Sequence, residues 1–367
     1  MRRIPLFLAL LAGLVGVALT AAFAGAAADR LTNVEGTIWV ANRGAHTIQG
    51  FDAETGQVGA TVAMRTGTQP GDLAYARGKL YVAEESPPTT PPAPPPPDPA
   101  IAIVDAGTGA VTKRIAMAPG SRPHHVHASR NGKLVAFGLY GTDTVAVVET
   151  RSDTLLGIWD INPAATNGRA HAGVFSPSGR TLYVASDASN EIVALNPRTG
   201  EVRWRVSVPG AHELVVTRDG ETAYVSRRTA NAVCVLDLED PATCTDVLSL
   251  GLPDTLRLAA RDRMLTITLR TTPAHAVVVD TRTFEFELVR IGPPLETTTL
   301  AGHQWTSKNG RFTFAAYEGG TSPGVAVIDH RSDNRIVATL PYAGRPHGVD
   351  LAPEDDDEDE EDEDDDE

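Results

Sequence analysis

Short apolar segments alternate with polar turns along most of the chain, and one order of segments recurs about seven times. Each copy has an apolar strand, a polar turn, a second apolar strand that often ends in Asp, and a turn that often reads Thr-Gly. The clear copies begin at Ile38, Leu80, Leu182 and Ala223, and more diverged copies follow Lys133, Arg263 and Arg311. A repeat of about 40–50 residues built only from short strands predicts blades arranged around an axis.

The repeats predict an all-β fold, a seven-bladed β-propeller of four-stranded antiparallel blades, over residues 33–353. The chain enters this pattern near Thr37, at the second strand of the first blade. Residues 345–353 have the pattern of one more inner strand with no further strand after it. We therefore expect this C-terminal strand to complete the first blade and close the ring, which removes exposed sheet edges.

Two segments depart from the repeat. Residues 86–99 contain nine prolines, and because proline cannot donate to a strand ladder, we expect a loop insertion within the second blade. This insertion could be a tolerated surface loop or a motif that binds a protein partner. Residues 354–367 are all Asp or Glu, which predicts a disordered acidic tail because like charges repel and no apolar side chain is available to bury.

The N-terminus has the pattern of an export signal. Arg2 and Arg3 precede a long apolar run, and residues 22–24 offer a cleavage site of the small-x-small type, so we expect residues 1–28 to be a signal peptide. An uncleaved membrane anchor is the alternative, because the run is long for a signal peptide. Export favours a disulfide between Cys234 and Cys244, which lie on either side of one predicted turn. We expect a periplasmic or extracellular protein with no stable membrane span if the signal is cleaved.

The net charge of −15 comes almost entirely from the acidic tail. Without its fourteen carboxylates, 33 acidic residues face 32 basic residues. Phosphate binding needs clustered Lys and Arg, so we expect no nucleic-acid partner. We also expect the chain to be a monomer.

A repeated histidine is the strongest candidate for chemistry. His124, His171, His212 and His347 occupy the first position of four predicted inner strands, and His303 lies one step later in the seventh blade. Equivalent positions form a ring around a propeller axis, where converging imidazoles could hold a transition metal such as copper, zinc or iron. The alternative is a packing role, in which each His bonds to a neighbouring blade.

Charged residues are expected at the same mouth of the channel. Arg122, Arg169 and Arg345 each lie two residues before a ring histidine, and they would favour a small anionic ligand. Glu84, Asp187 and Glu318 follow predicted second strands that end on this face. These carboxylates could complete a metal shell or move protons, or they could be ordinary polar loop residues.

The repeated strands, the Asp-x-x-Thr-Gly turns at Asp52 and Asp105, and the segment Arg345-Pro-His-Gly-Val resemble the YVTN-type seven-bladed propeller repeat family. The resemblance covers nearly the whole chain after residue 28 and implies the propeller fold. The wider superfamily has similar propellers in nitrous oxide reductase, haem-containing nitrite reductase, the methylamine dehydrogenase large subunit and lactonases.

In nitrous oxide reductase a ring of propeller histidines holds a copper cluster. The resemblance therefore implies that the five ring histidines of this chain form a reduced version of that ring. Two blades lack the histidine, and no second copper domain with Cys and Met ligands follows. Full reductase activity is therefore not expected.

Three functions follow from these features. The leading hypothesis is an exported binding protein whose His- and Arg-lined mouth holds a metal ion or a small anionic ligand. The second is a metalloenzyme, either an oxidoreductase or a lactonase-like hydrolase. The third is an interaction scaffold that recruits a protein through the proline-rich loop and the acidic tail. The chain lacks a Gly-Lys-Ser phosphate loop, a Gly-x-Ser-x-Gly elbow and a His-Glu-x-x-His motif.

Overall fold

The computed structural model describes residues 34–87, 97–163, 169–307 and 309–353. Within these ranges, 28 strands form seven sheets, and each sheet has four antiparallel strands. The predicted seven-bladed propeller is confirmed. The expected signal peptide, the acidic tail and most of the proline-rich segment lie outside the described residues.

The strands, in chain order, are β1 (Thr37–Asn42), β2 (Thr47–Asp52), β3 (Val58–Ala63), β4 (Gln69–Ala76), β5 (Lys79–Glu85), β6 (Ala100–Asp105), β7 (Val111–Ala116), β8 (Pro123–Ala128), β9 (Leu134–Leu139), β10 (Thr144–Glu149), β11 (Thr154–Asp160), β12 (Ala170–Phe175), β13 (Leu182–Ser186), β14 (Glu191–Leu195), β15 (Val202–Ser207), β16 (Ala211–Val216), β17 (Thr222–Arg227), β18 (Ala232–Asp237), β19 (Cys244–Ser249), β20 (Pro253–Ala259), β21 (Met264–Leu269), β22 (His275–Asp280), β23 (Phe286–Arg290), β24 (Leu300–Thr306), β25 (Phe312–Glu318), β26 (Gly324–Asp329), β27 (Arg335–Pro341) and β28 (Pro346–Ala352). A 3₁₀ turn spans Arg228–Ala230. No helix in the described ranges is long and apolar enough to cross a membrane.

The ring closes as the sequence predicts. Blade 1 has the strand order β28-β1-β2-β3, so the last strand of the chain supplies its inner strand. Blades 2 to 7 each use four consecutive strands, from β4–β7 to β24–β27. The closing pair joins Thr37 to Ala352 and Val40 to Val349. This pairing ties the two ends of the ring together and leaves no open sheet edge at the junction.

The core lies between neighbouring blades. Phe137 of blade 3 packs in one buried cluster with Tyr81 of blade 2, and Phe312 of blade 7 packs with Phe51 of blade 1. Burying a side chain of this size contributes about 1.5–3 kcal/mol. The outermost strands are mostly exposed, as in β3, where five of the six residues are exposed. The inner strands are therefore held rigidly around the axis.

The repeated Asp-x-x-Thr-Gly segment makes one kind of turn. Asp52 Oδ1 accepts hydrogen bonds from the Thr55 backbone N–H and hydroxyl, both at 2.6 Å. Gly56 follows with φ of +70°, a conformation that glycine adopts without steric cost. Asp105 and Thr108 repeat the arrangement. These residues explain much of the repeat pattern and lie apart from the channel chemistry.

One disulfide links the outer half of blade 5. Cys234 of β18 is bonded to Cys244 of β19, with the two Cα atoms 5.5 Å apart. The bond joins two adjacent strands of one sheet. It therefore staples the two outer strands of the blade whose inner strand carries His212.

A β-bulge near the start of every inner strand positions the site. The pairing register between each inner strand and its neighbour shifts at this point in all seven blades, for example between Pro123 and Val126 of β8. A bulge places two residues opposite one and re-aims their side chains. Consecutive residues such as His124 and His125 therefore both point into the interior.

Candidate metal centre in the central channel

Seven of the ten histidines converge near the axis, and we call them the channel histidines: His124, His125, His127, His171, His212, His303 and His347. The ring of His303 from blade 7 lies 4.3 Å from that of His125 in blade 3 and 4.2 Å from that of His347 in blade 1. Contacts between blades that are not neighbours in the ring mean that these side chains meet at the axis.

All five histidines predicted from the repeat belong to this group. His124, His171, His212 and His347 occupy equivalent inner-strand starts, and His303 lies one position later. The bulge explains why His303 still faces the others, because it turns both Gly302 and the following residue inward. His171, His212, His303 and His347 are at most 4 % exposed.

Three of the channel histidines could share one ion. His124, His303 and His347 each offer a nitrogen, and these nitrogens all lie within 4.8 Å of one another. Nδ1 of His303 and Nδ1 of His347 are buried and have no hydrogen-bond partner among the described residues. Nδ1 of His124 is 2.7 Å from Glu85 Oε1, which fixes the ring and leaves Nε2 for a ligand. We call these three residues the upper triad.

His212 is bound differently from its neighbours. Its Nδ1 is 2.7 Å from Asp187 Oδ1, and its Nε2 is 2.9 Å from Asp254 Oδ1. Burial opposes the charged imidazolium, but these two carboxylates raise the pKa of His212 above its usual value. Because carboxylates face both of its nitrogens, His212 is suited to carry charge and poorly suited to bind metal.

The pKa values of His124, His171 and His347 move the opposite way. Burial lowers the pKa of His171 and of His347 well below the usual value, and nearby positive charge lowers both further. Burial likewise lowers the pKa of His124, against the opposing effect of Glu85. Neutral imidazole is the form that binds a metal ion.

Arginines and carboxylates surround the mouth above the histidines, and we call this set the charged rim: Arg43, Arg122, Arg169, Arg228, Arg270, Arg345, Glu85, Asp187, Asp254 and Glu318. Arg43 is 2.8 Å from Glu85, and Arg228 is 2.7 Å from Asp254. Six arginines exceed four carboxylates, so the rim is positive. A positive, low-dielectric mouth concentrates anions.

Five of the six predicted ligand-binding residues lie on this rim. Arg345 pairs with Glu318 at 3.0 Å. Arg122 and Arg169 lie over the ring of Tyr140, whose hydroxyl donates to Asp187 at 3.2 Å. The predicted ligand-binding residues therefore include three of the six arginines of the rim.

Glu84 lies apart from the rim. Its carboxylate accepts from the backbone N–H of Arg65 at 2.8 Å and from the side chains of Arg65 and Arg114 at 3.0 and 3.1 Å. Glu85 takes the place at the mouth instead. Successive residues of β5 point to opposite sides of the sheet. Glu84 therefore pairs with Arg65 and Arg114, whereas the next residue, Glu85, contacts His124.

Below the upper triad, a second set of side chains continues down the channel. His125 Nε2 lies 3.3 Å from Glu213 Oε2, and His127 Nε2 lies 3.9 Å from Glu213 Oε1. Asp72 Oδ2 lies 3.3 Å from His303 Nδ1 and 3.6 Å from His125 Nε2. We call His125, His127 and Glu213 the lower triad.

Sequence reasoning did not select Glu85, Glu213 or Arg43. Glu213 directly follows His212. A bulge assumed at this position of every inner strand would have predicted that both side chains face the channel. Arg43 lies 81 residues from His124 in the chain, yet its Nη2 is 3.1 Å from that histidine's Nδ1. Only the closed ring brings such residues together.

The central part of the chain, residues 102–283, matches a family described as "Lactonase, 7-bladed beta-propeller". Among curated proteins, none matches the chain.

Similar solved structures include the periplasmic gluconolactonase PpgL of Pseudomonas aeruginosa, with 18% identity, a TM-score of 0.64, and coverage of 87% of this chain and 99% of that one. The dihydro-heme d1 dehydrogenase NirN is 16% identical with a TM-score of 0.60, and covers 86% of this chain and 75% of its own. Hydrazine synthase of Kuenenia stuttgartiensis is 16% identical with a TM-score of 0.55, and the match covers 65% of this chain and 73% of that one. At these identities the likeness shows the propeller fold alone.

Proposed function

We propose that this propeller is a metal-binding protein that holds a transition-metal ion on the upper triad and presents it to small anions drawn in by the charged rim. The single observation that carries this proposal is the convergence of His124, His303 and His347, whose ligand nitrogens lie within 4.8 Å of one another. Imidazole suits zinc, copper, iron and nickel. Three histidines leave a further coordination position open to a ligand.

Unpaired nitrogens favour a ligand over a packing role. A packing histidine would bond to a neighbouring blade, whereas Nδ1 of His347 has no hydrogen-bond partner among the described residues. A buried polar atom without a partner costs about 1–3 kcal/mol. A metal ion bound by several imidazoles would offset that cost, because it would give the buried ring nitrogens a partner.

Carboxylates next to the triad support the same function. Glu85 lies 2.7 Å from His124 Nδ1, and Asp72 lies 3.3 Å from His303 Nδ1. A carboxylate on one ring nitrogen orients the imidazole and increases the basicity of the other, as in many metal sites. The ring nitrogen opposite each contact is then the ligand atom.

The rim supplies the affinity for an anion. The side chain of Arg345 is 58% exposed and that of Arg122 is 39% exposed, so both can reach a ligand at the mouth. Their carboxylate partners are nearly buried, which keeps the arginines in place. Export is part of the proposal, because the Cys234–Cys244 disulfide suits an oxidising compartment.

Metal content tests this function directly. The mature protein would be purified without a histidine tag and analysed for copper, zinc and iron, together with His347→Gln. We expect bound metal in the wild type and the loss of one ion, or a drop in affinity beyond about 100-fold, in the variant.

His330→Gln is the matched control, because His330 lies in an outer turn and bonds to Thr313 and Asn334. This control should keep the full metal content. A wild type that stays empty after incubation with all three ions would refute the proposal, and so would equal metal affinity in the wild type and His347→Gln.

Lactone hydrolysis is the second candidate function. It rests on the lactonase family match over residues 102–283, which include blades 3 to 5. In that function the rim arginines would stabilise the negative charge that develops on the lactone carbonyl. Acid release from a panel of sugar lactones would test it, with Arg345→Gln expected to lower kcat. No turnover with any lactone, in metal-loaded and metal-free protein alike, would remove this candidate.

A further inference from the structure

The lower triad lies farther from the mouth than the upper triad and shares no residue with it. His125 and His127 are on the same inner strand, β8, and Glu213 comes from β16 two blades away. Their ligand atoms all lie within 4.8 Å of one another. His125 and Glu213 are fully buried, and the side chain of His127 is 16% exposed.

Four polar atoms of this group have no hydrogen-bond partner among the described residues. They are Nδ1 and Nε2 of His125, Nε2 of His127 and Oε2 of Glu213. Each such atom, when buried, costs about 1–3 kcal/mol. One possible ligand atom from each of the three residues lies within 4.8 Å of the other two, so one ion could satisfy them together.

Arg257 prepares the carboxylate for this role. Its Nη1 donates to Glu213 Oε1 at 2.7 Å, which holds the carboxylate in place with Oε2 facing His125 Nε2 at 3.3 Å. Burial raises the pKa of Glu213, and the positive charge of Arg257 opposes that effect only in part. Asp72 adds a second carboxylate 3.6 Å from His125 Nε2, which balances the positive charge that a cation and Arg257 would bring together.

The distance between His125 and Glu213 fits a shared metal ion. Two ligands of a tetrahedral ion with bonds of about 2.0–2.1 Å lie about 3.3 Å apart. His125 Nε2 and Glu213 Oε2 are 3.3 Å apart, and His127 Nε2 is 3.9 Å from the second carboxylate oxygen. We propose that the lower triad is a second, separate site for a divalent metal ion, with two imidazoles and one carboxylate as ligands.

This inference does not depend on the upper triad. The two triads have no ligand in common, although the rings of His125 and His303 lie 4.3 Å apart, so the two ions would be close neighbours. Two imidazoles and a carboxylate form a harder donor set than three imidazoles, so the lower site should favour zinc or iron(II) over copper(I). The channel would then hold two ions at successive levels along β8.

Cobalt(II) titration of metal-free protein tests the proposal, because cobalt bound by nitrogen and oxygen ligands absorbs visible light and can be counted. We expect two ions per chain in the wild type, one in His127→Gln, one in His347→Gln and none in the double variant. The affinity of the lost ion should fall by more than about 100-fold.

Glu213→Gln is the second variant, because it keeps an oxygen for Arg257 and removes the anionic ligand. It should lose the same ion as His127→Gln, and circular dichroism would check that each variant folds. Equal cobalt counts in the wild type and in the folded lower-triad variants would overturn this inference. If His347→Gln bound two cobalt ions and the two lower-triad variants bound one each, the upper-triad proposal would fail and the lower site would be supported.

Discussion

The charged rim and the channel histidines contact each other at one mouth of the channel, yet they satisfy their polar groups in different ways. On the rim, Glu85 contacts Arg43 at 2.8 Å, and Glu318 contacts Arg345 at 3.0 Å. Among the histidines, the Nδ1 atoms of His171, His303 and His347 have no partner in the described residues. The carboxylates of the rim are therefore paired within the protein, whereas several nitrogens of the histidine cluster have no hydrogen-bond partner among the described residues.

His212 marks the boundary between the two regions. It stacks on His171 with ring centroids 3.6 Å apart, so it belongs to the cluster by position. Its two nitrogens face Asp187 and Asp254, so it belongs to the rim by bonding. The same repeated position thus holds a charged structural group in one blade and a candidate ligand in another. Histidines at the same position of the repeat therefore need not have the same role.

Breaking the rim should have the largest effect on stability. Glu85→Gln would leave Arg43, Arg122 and His124 without their shared carboxylate, which is 2% exposed. Removing one partner of a buried ion pair costs about 3–5 kcal/mol. Urea unfolding of metal-free protein should show this loss in the free energy of unfolding.

His347→Gln provides the contrast in the same metal-free protein. Its Nδ1 is already without a partner, so exchange for another polar side chain should cost less than about 1 kcal/mol. If the two variants lost equal stability, the histidines would be packing residues and the distinction between rim and cluster would fail.

Asp350 lies on β28, three residues after His347, and extends the comparison to the deeper end of this inner strand. Burial raises the pKa of this carboxyl to about 7, although the backbone N–H groups of Tyr75 and Leu351 lower it, as does Arg257. The folded protein therefore keeps the carboxyl protonated where the unfolded chain has released the proton. The contribution of Asp350 to the free energy of unfolding should therefore fall as the pH rises from about 4 to about 7.

Asp350→Asn removes this dependence. Relative to the wild type, the variant should gain about 2–3 kcal/mol of stability between pH 5 and pH 8, from 1.36 kcal/mol per pKa unit. Urea unfolding of both proteins in a metal chelator at each pH would measure the difference. A flat difference across this range would mean that Asp350 is ionised in the folded protein.

The fold could be predicted from the sequence, because Tyr-Val-Ala strands and Asp-x-x-Thr-Gly turns repeat local structure that each blade needs. The positions of the ring histidines followed from the same repeat. The choice between Glu84 and Glu85 could not be made, because one residue along β5 reverses the side of the sheet that a side chain faces. The lower triad was missed for a related reason, since the bulge that turns both His212 and Glu213 inward is a feature of strand pairing.

The smallest effect on stability is expected for Arg345, at the outer edge of the rim. Its side chain is 58% exposed and pairs with Glu318 at 3.0 Å. Exposed ion pairs contribute about 0–1 kcal/mol, so Arg345→Gln should change the free energy of unfolding by less than about 1 kcal/mol. The same variant should weaken the binding of a small anion such as azide to the metal-loaded protein, and salt should reduce the difference by screening. A loss of stability as large as that in Glu85→Gln would show that the rim is a single structural network with no group free to attract a ligand.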